Sequence, residues 1–260
     1  MKPKNQLFNV LFGMAGGLLV LFVILPLIST ILATTPIDFL RSFGDLEVIH
    51  SIALTFGAAA IATFLALITG IPLAYLLARR NFHGKRLLEA IINLPIVIPH
   101  TAAGVALLLV FGRRGLIGQW LSPLGIIFTD NLGGIVVAML FVSLPFLVNL
   151  SREAFAMVDE ELERVAFTDG ASQWQAFWHI SIPLAWRGVL GGALMMWARG
   201  ISEFGAVVIL AYHPKIVPVL VYERFEGFGL DAAQPIALLL ILVALVVFIT
   251  LRLVLLPKQD

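Results

Sequence analysis

The 260-residue chain contains no cysteine. Disulfides, thiolate metal sites and cysteine nucleophiles are therefore excluded. Its five histidines are scattered, with neither an HExxH helix nor another paired spacing, and no metal site is expected. Charged residues make up 13% of the chain, against roughly 25% in soluble domains. A net charge of +1 gives no basic surface for nucleic acid. A GxxxxGK[ST] phosphate loop is also missing: Gly84–Lys85 is followed by Arg86, and position 79 is arginine, not glycine. ATP hydrolysis by that loop is excluded. An intramembrane enzyme would need a nucleophile–base pair or a ligand cluster, and the sequence offers neither.

What is abundant is apolar sequence, 60% of all residues. It falls into repeated runs of about 20 residues, the length that crosses a ~30 Å hydrocarbon core. The chain is expected to be an all-α membrane protein. Lys2 and Lys4 precede an apolar run from Leu7 to about Ala33. That run exceeds the ~7–15 residues of a signal-sequence core and no small-residue cleavage site closes it, so it reads as a first transmembrane helix. Six spans are expected, at about 8–33, 52–78, 88–111, 132–150, 184–211 and 232–256. Pro26, Pro72 and Pro145 are expected kinks. Lys2, Lys4, Arg79, Arg80, Lys85, Arg86, Arg152, Arg187, Arg252 and Lys258 then fall on one side, assigned to the cytoplasm with both termini. Arg113 and Arg114 fall opposite, outvoted. On that outer side Leu116–Leu124 reads as a short interfacial helix around Trp120. Residues 214–230, with Pro214, Pro218, Gly227 and Gly229, read as a loop with turns rather than a further span.

The cytoplasmic segment 158–183 is polar and helix-forming. Asp159, Glu160, Glu161 and Glu163 place negative charge at a helix start. Asp169–Gly170 is a stop signal. Ser172 and Gln175 make a capping box for a second helix, from Gln173 to about Ile180, expected to end before Pro183. Trp174, Phe177 and Trp178 stand at i, i+3 and i+4 and so share one face. Two readings remain open: aromatics at lipid-headgroup depth, or a helix seated in the groove of a soluble partner.

Here the sequence resembles the cytoplasmic loop of ABC-importer permeases. That pattern runs Glu-Ala-Ala, three residues, glycine, nine residues, isoleucine, a spacer, an apolar residue and proline. Gly170, Ile180, Ile182 and Pro183 stand at those spacings. Arg164-Val165-Ala166 replaces the triplet, and the adjacent Glu163 is the candidate stand-in for its glutamate. Trp197–Ile209 (WARGISEFGAVVI) and Leu94–Gly104 (LPIVIPHTAAG) resemble the fifth- and third-span segments of permeases for molybdate, tungstate and sulfate. With His100 where many relatives carry proline, and with Val221–Phe225 (VYERF), the chain looks most like archaeal-type molybdate/tungstate permeases.

The resemblance implies the MetI-like six-helix permease fold as one domain over 1–260. It implies a second copy of the chain, two ATPase subunits carrying ATP and Mg, and an external binding protein, with no cofactor held by this chain. It implies that Glu163, Arg164, Ala166, Gly170, Ala171, Ser172, Trp174, Phe177, Trp178 and Pro183 form the ATPase-coupling segment. Sulfate or thiosulfate is the alternative cargo. An ion-coupled secondary transporter is a weaker alternative, because the spans hold essentially one acid, Glu203.

Within the spans, Arg199 and Glu203 stand at i, i+4 in the fifth, flanked by Gly200 and Gly205. They read either as a neutralised pair orienting the helix or, with Ser202, as pathway lining or a gate. Pro95 and Pro99 in the third span read either as a kink or as an unwound stretch that turns His100 and Thr101 toward the pathway.

Overall fold

The computed structural model describes residues 3–255. Lys2, Lys258 and the end of the sixth span lie outside the described residues, as do the side chains of Lys4 and Arg252. The regular structure among the described residues is all helix. Its helices are α1 (Pro3–Ala33), α2 (Pro36–Gly44), α3 (Leu46–Arg79), α4 (Lys85–Val97), α5 (His100–Phe111) and α6 (Gly118–Leu121). They continue with α7 (Leu132–Met157), α8 (Glu160–Thr168), α9 (Gln173–Ala176), α10 (Ile182–Ile201), α11 (Gly205–Leu210), α12 (Val217–Phe228) and α13 (Leu230–Leu255).

Among the described residues five helices are long and apolar enough to cross a membrane, and α4 with α5, bent by 115° to each other, make a sixth if the pair is counted as one broken span. The expected third span is thus not one helix. Pro95 stays inside α4, while Ile98 and Pro99 adopt extended angles between the two pieces. Proline at 99 has no N–H to continue the ladder and disfavours helical angles at Ile98. The fifth span breaks too, between Ile201 and Gly205. Pro26, Pro72 and Pro145 leave α1, α3 and α7 unbroken.

The core lies where α3, α7 and α10 pack together, with α5 and α11 closing one end. Its α3 face is small: Ala58, Ala59, Ala62, Ala66 and Ala74 are all buried. A side chain at Gly200 would press Ala59 at 3.2 Å, and one at Gly188 would overlap Ala154. In lipid, where apolar burial drives little helix association, such close backbone approach supplies the packing energy. α1 differs: its apolar window holds no buried residue, and it lies beside α13 with Gln234 donating to the Thr34 hydroxyl (3.1 Å).

The outer loops carry one expected and one unexpected element. Gly118–Leu121 is helical and continues as a 3₁₀ turn, with Trp120 exposed. Residues 217–228, read from sequence as turns, are helix α12. Pro218 sits in its first turn, where no N–H is required, and Gly229 ends it at φ +83°. The same residues that looked like loop punctuation are its start and stop. An ion-pair lattice joins this region to the beginning of α3. Lys215 reaches Glu223 (2.7 Å) and Glu47 (3.1 Å), while Arg224 reaches Glu47 (2.8 Å) and Asp45 (3.4 Å).

Candidate functional site: the cytoplasmic segment and the charged break

The segment 158–183 folds much as its letters dictate. Asp159 caps α8 by accepting from the Glu161 amide (2.9 Å). Gly170, at φ +90°, closes it: the Gly170 amide donates to Phe167 and the Ala171 amide to Ala166 (3.1 and 2.9 Å). That double bond is a Schellman closure, and it explains glycine there. Ser172 and Gln175 form the reciprocal capping box, at 2.8 and 3.2 Å.

The second helix departs from expectation at its far end. It does not stop before Pro183. After Ala176 it widens into a π turn, Phe177–Ser181, and runs on into α10. The Ile182 amide donates to the Phe177 carbonyl, five residues back. Pro183 lies in the first turn of α10, where the wider turn accommodates its missing donor. The segment is therefore continuous with the fifth span.

The aromatic face divides as well. Trp174 and Trp178 are exposed, 69% and 49%, whereas Phe177 is buried at 8%. Phe177 stands edge-on to Tyr75 (4.9 Å), and Tyr75 stands edge-on to Phe155 of α7 (5.4 Å). Arg164 is exposed and pairs along α8 with Glu161 and Glu160 (3.2 and 3.5 Å). Ala166 and Ala171 are half-buried, and Gly170, Ser172 and Pro183 are exposed.

Glu163 faces inward and is 6% exposed. Its carboxylate accepts from Arg79 Nε (2.9 Å), the Tyr75 hydroxyl (3.0 Å) and the Ser181 hydroxyl (2.7 Å). Arg79 Nη2 adds a 2.8 Å ionic contact that lacks hydrogen-bond alignment. Sequence reasoning took Arg79 only as a marker of the cytoplasmic side. The signal for more was the i, i+4 spacing of Tyr75 and Arg79 at the end of a span. Beside this cluster a cleft of about 220 Å³ opens between α3 and α8, lined by Leu76, Arg80, Glu160 and Phe167 among others.

The second cluster sits at the two helix breaks. Arg199 Nη2 donates to Glu203 Oε2 (2.9 Å), and His100 Nδ1 lies 2.7 Å from that nitrogen and 3.0 Å from that oxygen. With Nδ1 bare the imidazole accepts from Arg199; with Nδ1 protonated it donates to Glu203. The other carboxylate oxygen of Glu203 accepts from the Ala206 amide at the start of α11 (2.8 Å). Ser202 accepts from Arg199 Nη1 (3.2 Å). Glu203 is fully buried, so it sets the charge balance from behind while Arg199 and His100 keep partial access. The structure thus unites candidates that the sequence held in separate spans. Gly205 is what permits the contact, since a side chain there would meet His100 Cβ at 2.8 Å. Of the remaining candidates, Thr101 and Pro99 are exposed and Pro95 is buried.

Comparison with known proteins places the chain in a family. The molybdate/tungstate transport system permease protein of Pyrococcus abyssi is 42% identical over 245 residues, covering 93% of each chain. The protein of the same description from Methanocaldococcus jannaschii is 43% identical, over 89% of this chain and 90% of its own. A sulfate transport system permease protein from Synechocystis is 32% identical over 85% of this chain and 76% of its own. The fold matches a solved bacterial ABC transporter involved in import of the acidic polysaccharide alginate, with a TM-score of 0.78 at 17% identity, covering 98% of this chain and 99% of that one. The family model for the binding-protein-dependent transport system inner membrane component matches residues 70–256, which include both the cytoplasmic segment and the charged break. The chain is therefore a membrane protein of that family, an ABC-importer permease.

Proposed function

We propose that this permease forms the pathway by which an ATP-driven importer carries molybdate or tungstate inward, and that it couples to separate ATPase subunits through residues 158–183. The carrying observation is the exposed pair Trp174 and Trp178 on a doubly capped element that is continuous, through the π turn, with the fifth span. Large exposed aromatics on a rigid, pre-ordered element suit insertion into a protein groove. The ATP and Mg belong to the partner. A second copy of the chain is part of the proposal, as the family resemblance implies. The external binding protein delivers the cargo. ATP-driven closure of the ATPase pair would move the two docking segments together and rock the attached spans between inward- and outward-open states.

The cargo assignment rests on the 42% identity to molybdate/tungstate permeases, above the 32% to a sulfate permease. The Arg199–His100–Glu203 cluster agrees with it. Its carboxylate is neutralised by arginine, so it does not repel a dianion, and it stops short of an arginine cage that would slow release. Co-purification with candidate ATPase subunits tests the docking. Trp178→Asp puts an unpaired charge into the contact and is expected to abolish association. Gly170→Asp strains the left-handed closure by about 1–2 kcal/mol and is expected to weaken association while the membrane core stays folded. Full association and transport by both variants would contradict the assignment.

A further inference from the structure

The docking segment is continuous with α10 at one end, and only the short link at Val158 and Asp159 separates it from α7 at the other. Nothing in the covalent chain ties it to α3, whose nearest relevant residue lies 84 positions away. That tie is made by side chains. Three elements meet at one carboxylate: α8 supplies Glu163, α3 supplies Tyr75 and Arg79, and the π turn supplies Ser181; α7 backs them with Phe155 packed on the Tyr75 ring. Both members of the ion pair are buried, each side chain 7% exposed.

Such a pair is a poor source of net stability, because desolvation consumes most of the attraction, and an apolar pair of similar size would hold the two helices as well. What it adds is direction. Two short polar bonds, from Tyr75 and Arg79, fix α8 against the end of α3 and a third, from Ser181, fixes it to the π turn, whereas apolar surfaces can slide. α3 ends at Arg79 itself, with Arg80 extended behind it, so a pull on Glu163 acts on the helix terminus.

We propose that Arg79 and Glu163, with Tyr75 and Ser181, are positioning residues for energy coupling: they deliver displacement of the docking segment to the second span as well as to the fifth. The inference rests on the permease reading above. It predicts a rigid cytoplasmic unit made of the end of α3, α8 and the π turn.

The test uses the assembled complex, permease with ATPase and binding protein, in proteoliposomes. The readout is ATP consumed per oxyanion imported. Glu163→Gln and Arg79→Gln each strand a buried partner and are expected to lower the yield of complex; in the complex that does assemble and hydrolyse ATP, that ratio is expected to rise about fivefold, the size of a ~1 kcal/mol coupling. A merely structural pair would lower the yield of complex and leave the ratio per assembled complex unchanged, and that result overturns the proposal. A second measurement leaves the cluster intact. Because the chain has no cysteine, Leu76→Cys and Phe167→Cys across the cleft can be joined by a bis-maleimide, with each single-cysteine protein treated alike as the reference. The joined protein is expected to import at the reference ratio, since the joined parts move together. Arrest of import on joining overturns the proposal. A wild-type complex that neither assembles nor imports would overturn the permease reading and this inference with it. An intact wild type with an unaltered ratio in the variants overturns only this inference.

Discussion

Glu163 and Glu203 are carboxylates taken out of solvent, and each survives because several donors converge on it. Their legibility differed. Glu203 declared itself in sequence as an acid inside a span with arginine four residues before it. Its third partner, His100, did not, because that residue lies in another span, 99 positions before Arg199. The sequence singles out Glu163 as the stand-in for the family's glutamate and as one of the acids at a helix start, but only the three-dimensional meeting with Arg79 shows it facing inward. Removing one member of such a buried pair strands the other. Glu203→Gln is therefore expected to destabilise the protein by about 3 kcal/mol, the lower end for buried pairs because Arg199 retains some solvent. Thermal unfolding in detergent checks this, and an unchanged midpoint would contradict it. At the outer surface the bond from Lys215, opposed in part by burial, holds the Glu223 carboxyl below its ordinary 4.5. A lowered carboxyl value contributes stability above the unfolded value and loses it as pH falls through the folded one. Glu223→Gln is expected to lower the unfolding midpoint at pH 7, and the difference from wild type is expected to shrink as pH falls through the lowered folded value of the carboxyl. A difference that does not shrink on acidification would assign the effect to packing.

Helix ends governed by local chemistry were the readable elements. Asp169–Gly170 and Ser172–Gln175 close and open their helices as spacing requires, because each motif is settled within a few residues. The misread elements are those where tertiary packing chose between two local options. Pro183 was compatible with a stop or with a widened turn, and burial of Phe177 against Tyr75 and Phe155 selects the turn. Pro218 and Gly229 were compatible with turns or with helix boundaries, and burial of Val217, Val219 and Leu220 selects a helix. Pairing of the short helices α5 and α11 was not visible at all. Two glycines make it possible: a side chain at Gly104 would meet Ile209 Cβ at 2.8 Å and one at Gly205 would meet His100 Cβ at 2.8 Å. Gly205→Val is expected to cost about 1–3 kcal/mol, as overpacking does, and to separate His100 from Glu203. Loss of unfolding temperature together with altered import would support this, and a variant with wild-type values for both would not.

The whole molecule reads as two linked devices: the segment 158–183, proposed above as the docking unit, and a charged break where the third and fifth spans both interrupt. The fifth span belongs to both, since it begins as the π turn and carries Arg199 in the last turn before its break. In the proposed mechanism a push on the first is carried toward the second. Composition made the membrane class plain. The continuity between the devices was not legible, because it depends on a helix running through Pro183 where local rules favour an end. The most direct measurement is uptake of labelled tungstate by proteoliposomes holding the permease, its ATPase and its binding protein. The account predicts uptake that requires ATP, is competed by molybdate more strongly than by sulfate, and is lost in Trp178→Asp; uptake that proceeds without ATP, or that survives this substitution, would contradict it.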